Sequence, residues 1–174
     1  MGKAVLPSRV KLFAAMTFNP SVKHDEVLEL LKRRFGDIDF SYGPIQFIFT
    51  DYYEDEMGGD LKKTYMTFAE SVERESLAAI KVFTNEIEDR YCREGRRLVN
   101  VDPGYVARDK LVLASTKDFY HRIYLSQGIY AEVTLHFRKG MYRYFSWTFP
   151  DYKEQPFLLF LEKIRAGFVR ELRS

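Results

Sequence analysis

Between Arg9 and Phe18 apolar residues take every second position, so Val10, Leu12, Ala14, Met16 and Phe18 share one face of a strand, which Asn19, Pro20 and Ser21 then break. The spacing changes to three and four over Val27, Leu28, Leu31 and Phe35, the period of a helix. Gly36 stops that helix, with Lys32, Arg33 and Arg34 in the last turn, where cations suit the negative end of the helix dipole. Alternation returns at Ile38, Phe40 and Tyr42, is interrupted by Gly43 and Pro44, and gives way to an apolar run from Ile45 to Thr50. An acidic loop, Asp51 to Asp60, leads to a strand from Lys62 to Ala69. The longest helix follows, from Glu73 to Glu94, with Leu77, Ile80, Phe83, Ile87 and Tyr91 as its buried stripe.

From Leu98 to Phe149 the pattern predicts short strands with turns at Asp102-Pro103-Gly104, Ser126-Gln127-Gly128 and Lys139-Gly140. A final helix opens at Pro156 and carries Phe157, Phe160, Leu161, Ile164, Phe168 and Leu172 along one side. The order strand, helix, strand, strand, helix is a ferredoxin-like start. With a β-meander and a terminal helix after it, the chain reads as an α+β fold, a mostly antiparallel sheet with three helices. Nothing resembling a linker divides it, so residues 1–174 are expected to form one domain.

Turn chemistry sets registers in the meander. A three-residue loop at Ser126-Gln127-Gly128 pairs Ile123 with Ala131, Tyr124 with Tyr130 and His121 with Val133, and makes Arg122 and Glu132 a cross-strand ion pair. For the next hairpin, a three-residue loop Lys139 to Met141 is preferred over a two-residue Lys139-Gly140 loop. It pairs Leu135 with Phe145, Val133 with Trp147 and Ala131 with Phe149 in one continuous apolar face. The opposite face then holds Tyr120, Arg122, Tyr124, Tyr130, Glu132, Thr134, His136, Arg138, Tyr142, Tyr144, Ser146 and Thr148. It is either the solvated side of a half-buried sheet or a ligand platform rich in rings and hydroxyls.

Composition narrows the setting. Of 174 residues, 46% are hydrophobic, and 15 Phe and 12 Tyr supply enough area for a core without cross-links or metal. Cys92 is the only cysteine, so an internal disulfide is excluded and a reducing compartment favoured; the helical pattern around it suggests a packed side chain. No apolar run approaches the roughly 18 residues of a membrane span, so a cytoplasmic protein with no membrane partner is expected. A net charge of +2 from 27 basic and 25 acidic residues leaves no strong electrostatic footprint for nucleic acid.

Several motifs together are recognisable: Phe49-Thr50-Asp51-Tyr52-Tyr53, Phe83-Thr84-Asn85, Val99 through Tyr105, the block from Leu113-Ala114-Ser115-Thr116-Lys117-Asp118 to Glu132-Val133-Thr134, and Trp147 through Tyr152. Across nearly the whole chain they resemble an uncharacterised prokaryotic family, domain of unknown function 4416, with Val101 and Phe149 standing where Leu and Tyr are expected. The resemblance brings no established activity. A GTP-binding label attached to some members finds no footing in the residues. There is no GxxxxGK[ST] loop, and Phe119 stands where a guanine-recognition motif beginning near Thr116-Lys117 would need its Asp.

The candidate chemistry gathers on few residues. Lys117 and Arg122 would hold an anion, with Asp51, Asp118, Tyr124 and Tyr130 as further ligand-binding candidates, and Asp102, His121 and Glu132 as candidates for proton transfer. His121 is either a hydrogen-bonded core residue or, if its strand starts later, a site residue beside Lys117 and Asp118. The acidic loop fails the EF-hand pattern, and none of the three histidines has a partner at metal-ligand spacing, so no metal site is expected, and the residues leave any cofactor unknown. The leading expectation is a protein that binds a small phosphorylated or nucleotide-like ligand, in one version an enzyme acting on it, and it requires a concavity at Lys117, Arg122 and Glu132. Two alternatives are an RNA- or single-strand-binding module and a homo-oligomeric scaffold.

Overall fold

The computed structural model describes residues 2–49 and 54–172. Eight strands form one sheet: β1 (Val10–Phe18), β2 (Ile38–Gln46), β3 (Lys62–Val72), β4 (Val99–Val106), β5 (Lys110–Ser115), β6 (Ile123–Ser126), β7 (Ile129–Arg138) and β8 (Met141–Tyr144). Three helices of three turns or more accompany it: α1 (His24–Phe35), α2 (Leu77–Arg90) and α3 (Gln155–Glu171). A single helical turn, Glu54–Met57, and a two-residue hairpin, Cys92–Arg93 with Arg96–Arg97, lie off the sheet.

The sheet runs β8-β7-β5-β4-β1-β3-β2, with β6 also on β7. Every pairing is antiparallel, and β4-β1-β3-β2 is the order of a ferredoxin-like split βαβ unit. β1 is central and buried along its whole length, so both of its faces meet core. Leu12, Ala14, Met16 and Phe18 pack under Val27 and Leu31 of α1 and Ile80 and Ile87 of α2. Phe13 and Ala15 pack on the other face beneath Phe157, Leu161 and Ile164 of α3, and burial of each Phe, Leu or Ile side chain here is worth roughly 1.5–3 kcal/mol.

Three expectations are corrected. Asp102-Pro103-Gly104 is not a turn but the middle of β4, paired to Ala15, Ala14 and Phe13. Gly104 is there because a Cβ would lie 2.2 Å from the Val112 carbonyl oxygen, so the close approach of β5 rather than chain reversal requires glycine. The helix stops at Arg90, which leaves Cys92 exposed in the small hairpin rather than packed in a helix. Finally, the last hairpin takes the two-residue loop: Lys139 and Gly140 both have positive φ, Tyr142 pairs with Phe137 and Tyr144 with Leu135.

That register changes the faces. β7 has a bulge, since Leu111 pairs with Leu135 but Val112 with Val133, so Thr134 is an extra residue and alternation reverses there. Leu135 and Tyr142 therefore join the core under α3, whereas Ile129, Ala131 and Val133 pack on the α2 side. Tyr142 is buried instead of lying on a polar face, and the inferred tyrosine platform does not exist as one surface.

Tyr142 supports a prediction. Its hydroxyl is buried and bonded to no described residue, and burial raises its pKa, as burial and then the charge of Asp151 raise that of Tyr65. In the unfolded chain a tyrosine ionises near pH 10, while in the fold these two hold their protons, so stability falls as pH rises past about 10, by about 1.4 kcal/mol per pH unit for each group. Tyr142→Phe is expected to raise stability at neutral pH by about 1 kcal/mol, since a buried unpaired hydroxyl is removed. It should also flatten the alkaline loss seen by urea unfolding at pH 9 to 11; an unchanged slope would refute this account.

Candidate functional site

β4 and β5 pair only from Gly104–Leu113 to Val106–Leu111. Beyond Gly104, β4 stays with β1 as far as Val99–Phe18, while β5 stays with β7 as far as Ser115–Tyr130. The two strands part, and Lys81, Asn85 and Glu88 of α2 line the gap. The result is a cleft of about 1540 Å³ at one end of the sheet, closed on the α3 side by the turn Pro150–Lys153 and by Trp147 and Phe149.

The first cluster in this cleft follows from the chain path. β5 lies on one edge of β7 and β6 on the other, so residues 116–122 must cross over β7. They cross at Glu132. Its carboxylate is buried and accepts from Arg122 Nε at 2.8 Å and Thr134 Oγ1 at 3.2 Å, with His121 Nε2 at 3.2 Å. Arg122 Nη1 donates to Ser115 Oγ at 2.9 Å and to the Lys117 carbonyl at 3.0 Å. The guanidinium is thus fixed by Nε and Nη1, and Nη2 donates to no described residue. His121 stacks on Trp147 at 4.9 Å and 10°, and its Nδ1 is buried and unpartnered among the described residues.

The second cluster is built on Lys63. Its ammonium donates to Asp151 at 2.6 Å and lies 4.9 to 5.3 Å from the ring centres of Phe47, Tyr152 and Tyr65. Tyr65 donates to the same Asp151 oxygen at 2.7 Å. Lys63, Tyr65 and Asp151 are all almost fully buried. A charge withdrawn from water in this way persists only with a paired counter-charge and polarisable neighbours.

A third cluster joins α2 to β4. Lys81 donates to Glu88 at 3.1 Å and to the Val101 carbonyl at 2.8 Å, and its ammonium lies 3.9 Å from Asp102. Glu88 also accepts from Arg97 at 2.8 Å and from the Val101 amide at 2.9 Å. Asn100 accepts from Arg97 at 2.8 Å and donates to Asp102 at 2.7 Å.

Of the residues singled out from sequence, Asp102, Lys117, Asp118, His121, Arg122 and Glu132 all line the cleft. The Arg122–Glu132 pair forms, and β6 starts only at Ile123, so His121 lies at the site rather than in the apolar ladder. Tyr124 and Tyr130 pair as expected, although the loop is the two residues Gln127-Gly128 with Ser126 paired to Ile129 rather than three residues; the two tyrosines do not line the cleft and meet edge to face at 5.4 Å on the hairpin. Asp51 lies outside the described residues. Sequence reasoning missed Lys63, Asp151, Trp147 and the Lys81–Glu88 pair. Two signals were available: Lys63 shares a strand face with buried Tyr65, and Leu77, Ala78, Lys81, Thr84 and Glu88 recur at helical spacing as a buried stripe containing opposite charges.

Among the described residues no group of three or more His, Cys, Asp or Glu side chains is placed to hold a metal ion, and no helix is long and apolar enough to cross a membrane. No curated protein and no solved structure matches the chain. The model of one family, described as Domain of unknown function (DUF4416), matches residues 8–168, which include all eight strands, α1, α2 and most of α3. The motifs that wall the cleft fall inside that span, and the chain belongs to the DUF4416 family.

Proposed function

We propose that the cleft binds a small phosphorylated or nucleotide-like compound, with Arg122 as its anion contact and Glu132, His121 and Asp102 as the groups available for proton transfer. The observation that carries this reading is the state of Arg122: three hydrogen bonds fix its plane in the cleft wall and leave Nη2 without a partner among the described residues. A guanidinium held in place before the ligand arrives loses little entropy on binding, and its fork matches phosphate oxygens. The cleft volume, about 1540 Å³, exceeds the roughly 300–1,000 Å³ of ordinary small-ligand pockets, which favours a ligand of two parts. In the tautomer whose Nε2–H donates to Glu132, the lone pair of His121 is on Nδ1. The stack on Trp147 holds the ring in that orientation, the arrangement in which a carboxylate positions an imidazole as a base.

The test is a thermal-shift and calorimetric screen of nucleotides and sugar phosphates, followed by Arg122→Lys. Lysine keeps the charge that Glu132 requires but not the fork, so the variant folds, and binding is expected to weaken by about tenfold. A screen in which no phosphorylated compound raises the melting temperature, or an Arg122→Lys protein that binds like the parent, would refute the proposal.

A further inference from the structure

Lys63, Thr17 and Asn100 are partners across β3, β1 and β4: Thr17 pairs with Lys63 on one side and with Asn100 on the other. Directly opposed residues of antiparallel strands point to the same face, so the three side chains form a row across the sheet. Asp102, two residues beyond Asn100 on β4, shares that face. The row sits past the end of the apolar surface that α3 covers. Lys63, Asn100 and Asp102 line the cleft, and Thr17 lies between the first two.

All three members of the row are more than nine-tenths buried, an unusual place for consecutive polar side chains. Asn100 is engaged by Arg97 and Asp102 and Lys63 by Asp151, but the Thr17 hydroxyl is buried with no partner among the described residues. Such a group costs stability unless something else uses it. Asp102 is partly exposed: one carboxylate oxygen accepts from Asn100, and the other is 3.9 Å from Lys81, outside hydrogen-bond range.

We infer that this row, with Asp102, is a subsite for a vicinal diol, the ribose or sugar part of the ligand, which rests on the function proposed above. The available groups are an acceptor carboxylate, a hydroxyl able to give and to receive, and spare N–H donors on Asn100 and Lys63. That set matches adjacent hydroxyls. It does not suit a second phosphate, because the Asp102 carboxylate would repel one and, among the described residues that line the cleft, carboxylates outnumber cations.

The experiment is calorimetry with ribose 5-phosphate, 2-deoxyribose 5-phosphate and inorganic phosphate on the parent, Thr17→Val, Asp102→Asn and Arg122→Lys. The parent is expected to prefer ribose 5-phosphate by about tenfold, and the preference should shrink to within about twofold in Thr17→Val and Asp102→Asn with phosphate binding unchanged. Thr17→Val removes only an unpartnered hydroxyl, so an unchanged or raised melting temperature separates loss of binding from loss of fold. Arg122→Lys should weaken both sugars equally. Equal affinity of the parent for the two sugars, or a preference that survives both variants, overturns the subsite. If no phosphate compound binds, the anion reading falls. Adenosine against 2′-deoxyadenosine then decides the subsite, with a preference lost in Thr17→Val supporting it, and equal affinities or no binding overturning it.

Discussion

Asp151→Ala is expected to destabilise the protein by about 3–5 kcal/mol, the usual cost of leaving a buried charge without its partner. At this chain length the melting temperature should fall by roughly 6–20 °C. Among the described residues Lys63 has one carboxylate within hydrogen-bond distance, that of Asp151 at 2.6 Å, and both residues are almost fully enclosed. The three rings around the ammonium contribute about 0.5–2 kcal/mol each at best and cannot replace a counter-ion. Tyr65 loses its acceptor in the same step.

The cause can be separated from mere loss of packing. Replacing the whole cluster by apolar residues, Lys63→Met with Tyr65→Phe and Asp151→Leu, removes every polar atom that would be left unpaired. Buried ion pairs are often matched by well-packed apolar substitutes, so the triple variant is expected to be more stable than Asp151→Ala alone. Thermal and urea unfolding of the two proteins checks this. An Asp151→Ala protein within about 1 kcal/mol of the parent would mean that the pair behaves as a solvent-screened surface bridge.

The half of the fold governed by period and punctuation was legible in the sequence. Strict alternation over β1, helical spacing over α1 and α3, and glycine at position 36 are local signals, and local signals set β1, α1 and α3 within a few residues. The failures lie where a distant strand decides. Asp102-Pro103-Gly104 has turn chemistry, yet β1 on one side and the approach of Val112 on the other hold it extended. The register of the last hairpin was inferred from an apolar alternation running to Phe149, whereas β8 ends at Tyr144. Thr148 then closes a turn by accepting from the Phe145 amide at 2.9 Å. The site shows the same division. Arg122 and Glu132 were found because a short hairpin relates them. Lys63 and Asp151, 88 residues apart, meet only through the packing of the segment before α3 against β3.

Glu88→Ala is the second change expected to cost about 3–5 kcal/mol, for a different reason. Three donors from three elements converge on this carboxylate: Lys81 of α2, Arg97 of the small hairpin and the Val101 amide of β4. Removing it leaves Lys81, itself buried, with the Val101 carbonyl and with Asp102 at 3.9 Å. Arg97 retains Asn100 and the half-exposed Glu56. The uncompensated charge therefore falls mainly on Lys81, which predicts that adding Lys81→Met to Glu88→Ala recovers much of the loss, a non-additivity that a double-mutant cycle measures. Because the same residues line the gap between β4 and β5, the loss should be local before it is global. Hydrogen exchange is expected to accelerate first at the Val101 amide and along the C-terminal turns of α2, with the β1–β3 ladder protected to the global unfolding limit. Uniform acceleration across the sheet would show instead that Glu88 supports the whole core and not the wall of the cleft.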